Sequence, residues 1–76
     1  MPASIRNILI IDEIHPSIFP LLEELGLKTD YRPTIKPTEV KDALQDFDGL
    51  IVRSKMQITA DTISKAGKLK FVARAG

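Results

Sequence analysis

The stretch Gly49–Lys55 (GLIVRSK) decides the fold. Leu50, Ile51 and Val52 run without polar alternation between a glycine and an arginine, the pattern of a short strand buried on both faces in a parallel sheet. Outward from it, Ile8–Ile11 (ILII), ended by Asp12, repeats the pattern, and Phe71–Ala73 (FVA), between Lys70 and Arg74, gives a third run. Leu27–Arg32 alternates more and reads as an edge strand, ended by Pro33 because proline cannot donate to a ladder.

Between these runs the period turns helical. Ile18, Leu21, Leu22 and Leu25 sit at i, i+3, i+4 and i+7, a helix stripe. Ser17 is its expected N-cap, Pro20 falls in the first turn where a missing N–H does no harm, and Gly26 is the αL terminator. Thr38 is expected to cap a second, short helix, with Glu39 in its first turn and Val40, Ala43, Leu44 and Phe47 on one face. Thr59 caps a third, with Ile63 and Ala66 apolar, Lys65 near its end and Gly67 closing it.

Strand and helix therefore alternate, which predicts an α/β fold: a flavodoxin-like parallel sheet in the order 2-1-3-4 with helices on both faces. Ligands in such sheets bind beyond the carboxyl ends of the strands, where the winding reverses between the first strand and the third. The residues expected there are Asp12, Glu13, Ile14 and His15, facing Arg53, Ser54 and Lys55.

Composition narrows the function classes. Eleven basic against ten acidic side chains, dispersed along 76 residues, give a net charge of +1 and no electrostatic case for nucleic acid or an anionic membrane as partner. With 43% hydrophobic and 28% charged residues the chain has the composition of a folded domain rather than a disordered one. No cysteine and a single histidine exclude a disulfide framework and a thiolate metal site, so no metal is expected. No run approaches the roughly 20 apolar residues of a membrane span, and the start lacks a signal-peptide pattern, so the cytoplasm is the expected compartment. One domain at most fits, and at this size about 60% of the unfolded chain's surface is buried, which makes an unstapled fold marginal.

Arg53 follows a buried strand directly, which would hold its guanidinium at the strand mouth. Its planar fork suits a carboxylate or phosphate; Ser54 adds a hydroxyl and Lys55 a compact charge. The alternative is that Arg53 pairs with Asp12 or Glu13 across the crevice and Lys55 is solvated. A histidine is a residue type suited to acid–base chemistry, yet with no acid or nucleophile partner His15 reads as a loop or helix-entry residue. Asp12 and Glu13 resemble the acidic pair of receiver domains, but a phosphoacceptor aspartate should follow the third strand, and Asp48 precedes it. Gly26, Gly49, Gly67 and Gly76 are scattered, so there is neither a dinucleotide fingerprint nor a P-loop. Phe19, Phe47 and Phe71 are too dispersed for base stacking, Lys65, Lys68 and Lys70 read as a solvated helix end, and Pro33 and Pro37 bracket a chain-reversing loop.

Gly49–Gly76 (GLIVRSKMQITADTISKAGKLKFVARAG), with the opening ILIIDEIHP and the LGLKTDYRP segment, resembles the amino-terminal part of the D-isomer-specific 2-hydroxyacid dehydrogenases, most of all their phosphoglycerate-type members. The resemblance covers nearly all of the chain. It implies that residues 1–76 form the first portion of a substrate-binding domain, cut after the fourth strand, and that Arg53, Ser54, Arg74 and Gly76 contact an acidic substrate. It further implies NAD as the cofactor of the full-length enzyme. The family's Rossmann domain and its catalytic arginine, glutamate and histidine come later in its members, so this chain is expected to hold no catalytic or cofactor-binding residue. The rival expectation is a stand-alone module that binds a small anion or a larger subunit. The fourth strand, as an exposed edge, is expected to drive homo-oligomer formation.

Overall fold

The structure, a computed structural model, describes residues 6–75. Its strands are β1 (Asn7–Ile10), β2 (Lys28–Tyr31), β3 (Gly49–Val52) and β4 (Phe71–Arg74); its helices are α1 (Ile18–Glu24), α2 (Pro37–Ala43), continued by a 3-10 turn over Leu44–Asp46, and α3 (Ala60–Ile63). All pairings are parallel and the sheet order is β2-β1-β3-β4, as the alternation predicts. The strand limits fall within a residue or two of the apolar runs.

The period of a strand splits the buried residues into two layers. Leu9, Ile11, Leu50 and Val52 point to one face, where Val40 and Leu44 of the second helical segment, Ala66, and partly buried Phe47, Met56, Ile58 and Leu69 cover them. Ile8, Ile10 and Ile51 point to the other, under Ile18, Phe19 and Leu22 of α1, with Leu27, Phe71 and Ala73 alongside. Both strands of the switch point, β1 and β3, are thus buried on both sides. After β1 the chain turns to one face and after β3 to the other, so their ends stay open.

Several local expectations are corrected. Ser17 already has helical dihedrals (φ −61°, ψ −20°) and makes no side-chain cap, because a capping hydroxyl needs an extended backbone to reach forward. The α1 stripe is rotated: Ile18, Phe19 and Leu22 face the sheet, while Leu21 and Leu25 are 58% and 72% exposed. Phe19 turns inward and sets its ring edge-on to Tyr31, with centroids 5.1 Å apart. The second helix starts earlier than Thr38. Lys36 is the N-cap residue, Pro37 occupies the first helical position, and the Glu39 carboxylate accepts the Lys36 N–H at 3.1 Å. Pro37 therefore ends the loop after β2 and opens the helix. Thr59 does cap α3, accepting the Thr62 N–H at 3.3 Å. That helix ends at Ile63, four residues before Gly67, and buries Thr62 while Ile63 stays exposed. Gly26 has the expected left-handed backbone (φ +78°), and no other described glycine has a positive φ.

Candidate functional site at the strand ends

β1 and β3 lie side by side with Ile10 opposite Ile51, so the segments leaving them emerge next to each other. Asp12, just past β1, aims Oδ2 at the segment beyond β3. That oxygen accepts the backbone N–H groups of Arg53 (2.6 Å), Ser54 (3.1 Å) and Lys55 (3.1 Å). The carboxylate therefore meets the main chain, and the alternative pairing of Asp12 with the Arg53 guanidinium is not found. Arg53 takes part in none of the ion pairs among the described residues.

Lys55 is not a solvated charge. It is partly buried, and its ammonium donates to the carbonyls of Pro33 (2.7 Å) and Ile35 (2.5 Å), tying the exit of β3 to the turn after β2. Arg74, the last residue of β4, donates from Nε to the Arg53 carbonyl at 3.2 Å. Arg53, Ser54, Arg74 and Ala75 line one open cleft of about 230 Å³. Arg53 and Ala75 also line a second, of about 430 Å³, with Ile14 and His15. Arg53 and Ala75 are thus common to both, and Arg53 is the charged one of the two. Two guanidinium groups and a serine hydroxyl facing a shallow cleft suit a carboxylate or a phosphate. Gly76 lies outside the described residues.

His15 edges the larger cleft. Its Nδ1 accepts the Ser17 N–H at 3.1 Å and stands 2.8 Å from the Ser17 hydroxyl, which in the neutral ring puts the proton on Nε2. The ring thereby organises the entry of α1, as its sequence context suggests. No group of His, Cys, Asp or Glu side chains that could hold a metal ion occurs among the described residues.

A larger groove of about 670 Å³, unforeseen from the sequence, runs from Tyr31 to Ala43. Its charges are already engaged. Arg32 pairs with Asp30 at 2.8 Å, a contact that raises the guanidinium's pKa further, and Glu39 closes the start of α2. Convergent polar groups, rather than volume, mark the strand ends as the candidate site. At the opposite end of the sheet, buried Asp48 accepts the N–H groups of Arg6 and Asn7, each at 3.0 Å. The Asn7 bond first and the Arg6 bond next hold its carboxyl below the usual value, against the effect of burial, with help from Lys68 and Lys70.

What a sequence pattern could not announce is the role of Asp12, since its partners are main-chain amides, which every residue carries. The sequence signal for its place is an acidic residue directly after a buried strand at the switch point.

Residues 8–76 match the family model described as "D-isomer specific 2-hydroxyacid dehydrogenase, catalytic domain". The chain is 42% identical over 74 residues to D-3-phosphoglycerate dehydrogenase of Rattus norvegicus and 40% identical to that of Homo sapiens, matches that cover 97% of this chain and 14% of each relative. It is 36% identical over 67 residues to erythronate-4-phosphate dehydrogenase of Shewanella baltica, covering 88% of the chain and 17% of the relative. The chain thus spans about one-seventh of the length of the phosphoglycerate dehydrogenases it matches. With the parallel 2-1-3-4 sheet and this match over nearly its whole length, the chain belongs to the D-isomer-specific 2-hydroxyacid dehydrogenase family, its residues lying in that family's catalytic domain.

Proposed function

We propose that this chain supplies the acidic-substrate side of the catalytic domain in an NAD-dependent oxidoreductase acting on the CH–OH group of a D-2-hydroxy acid of the 3-phosphoglycerate type. The observation that carries the reading is the position of Arg53, anchored through its own N–H to Asp12 and bordering both clefts at the switch point. Relatives named for phosphorylated hydroxy acids support the choice of a doubly anionic substrate. In this reading Arg53 and Arg74 take the phosphate or carboxylate, and Ser54 donates a hydrogen bond from its hydroxyl.

NAD does not fit the described residues. Gly49 lies inside the sheet beneath the Phe71 ring and Ile8, Gly26 ends a helix and Gly67 lies between α3 and β4, so no described glycine leads from a strand end into a helix N-terminus to admit a pyrophosphate. Cofactor binding and the groups that accept the hydride and proton belong, in this reading, to other parts of the enzyme, and the 76-residue chain turns over no NAD by itself.

In the dehydrogenase carrying this segment, Arg53→Ala is expected to raise KM for the acidic substrate by at least tenfold with a smaller change in kcat. A charge-assisted hydrogen bond is worth about 1.5–3 kcal/mol, and ground-state binding is what it supplies. Unchanged kinetics would give Arg53 a structural role only. NADH formation by the isolated chain would overturn the division of labour.

A further inference from the structure

The exits of all four strands converge on the tripeptide Arg53–Lys55. Lys55 reaches the turn after β2, Arg74 comes from β4, and Asp12 arrives from β1. The last of these contacts is of a different kind. Three successive N–H groups curve around one carboxylate oxygen at 2.6–3.1 Å, the backbone concavity that proteins use to bind anions, here filled by the chain's own Asp12. Hydrogen bonds to an ionised acceptor are roughly twice as strong as neutral ones, so the tripeptide is held in one conformation.

Two consequences follow for an anion arriving at the strand ends. The N–H groups of residues 53–55 are already engaged, so the donors it meets are the side chains. The main chain bearing Arg53 is fixed beforehand, so binding does not have to order it. Resting on the reading that Arg53 meets the acidic substrate, we propose that Asp12 is the positioning residue of this site: its carboxylate fills the backbone nest of Arg53, Ser54 and Lys55 and so presets the guanidinium for the anion. Asp12 itself does not touch the ligand.

The test pairs amide hydrogen exchange with titration by inorganic phosphate, on the 76-residue chain and its Asp12→Ala and Asp12→Asn variants. In Asp12→Ala the amides of residues 53–55 should exchange at least tenfold faster while those of Leu9 and Leu50 stay within twofold, and phosphate should bind at least tenfold more weakly. Asp12→Asn keeps an acceptor oxygen and should recover part of both losses. Unchanged exchange at residues 53–55, or phosphate affinity in Asp12→Ala equal to that of the unaltered chain, overturns the proposal. So does loss of protection throughout the sheet in both variants, which would make Asp12 a folding residue. If the unaltered chain takes up no phosphate, the acidic-substrate reading fails, and the exchange at residues 53–55 still decides whether Asp12 fixes them.

Discussion

Two aspartates, Asp12 and Asp48, do similar work at opposite ends of the sheet: each gathers main-chain N–H groups of a neighbouring segment onto one oxygen. For Asp48 the consequence can be followed by pH. Its folded pKa is lowered, so its contribution to stability is present above the unfolded value of about 3.9 and is lost as pH falls through the lower, folded value. Asp48→Asn should therefore unfold at a lower temperature than the unaltered protein at pH 7, with the difference narrowing below about pH 4. Thermal melts from pH 7 to pH 2 check this, and a difference that persists undiminished at the acid end would contradict it. Lys55 illustrates how residue type can mislead. A lysine after a strand reads as a solvated charge or an anion ligand, yet its ammonium closes two carbonyls of another loop.

At the scale of elements, the spacing of β3 and β4 depends on Gly49. It lies opposite both Ile8 and Phe71, and a methyl group there would overlap the Phe71 ring and come within 2.8 Å of Ile8 Cδ1. Gly49→Ala is expected to cost about 1–3 kcal/mol, the usual penalty of overpacking, with part of it returned by adding Phe71→Leu. Urea unfolding of the single and double variants measures both effects, and a neutral Gly49→Ala would contradict the close packing. β1 and β3 were legible because strands buried on both faces are continuous apolar runs, β4 from a shorter run and β2 from its alternation, and so was their order. Arg53 and Ser54 could be placed for the same reason, since a strand end at the switch point needs no tertiary information. The face of α1 was not legible: Ile18, Phe19, Leu21 and Leu22, with Leu25 at the C-cap, make two adjacent apolar stripes on a seven-residue helix, and only docking against Leu27 and the sheet chooses between them. The early end of α3 was hidden likewise, because Thr62, not Ile63, fits beneath the capping turn.

The whole molecule is a thin slab, 31 × 29 × 16 Å, held by two small apolar layers without covalent staples. β4 forms one edge of the described sheet, and its Val72 is 42% exposed. Open apolar edges pair with other chains, so the isolated chain is expected to associate with a second copy. Sedimentation should show a mass rising with concentration and reduced in Val72→Lys, while a monomer across the whole range would contradict it. No described helix is long and apolar enough to cross a membrane.

Binding of an acidic hydroxy acid at the strand ends around Arg53 carries the proposed function. Its most direct test is titration of the chain with D-3-phosphoglycerate, read at the backbone amides and guanidinium Nε–H signals by NMR. Saturable shifts are expected at Arg53, Ser54 and Arg74, with an affinity at least tenfold weaker in Arg53→Ala. Shifts confined to the groove between Tyr31 and Ala43, or equal binding by the Arg53→Ala chain, would contradict it.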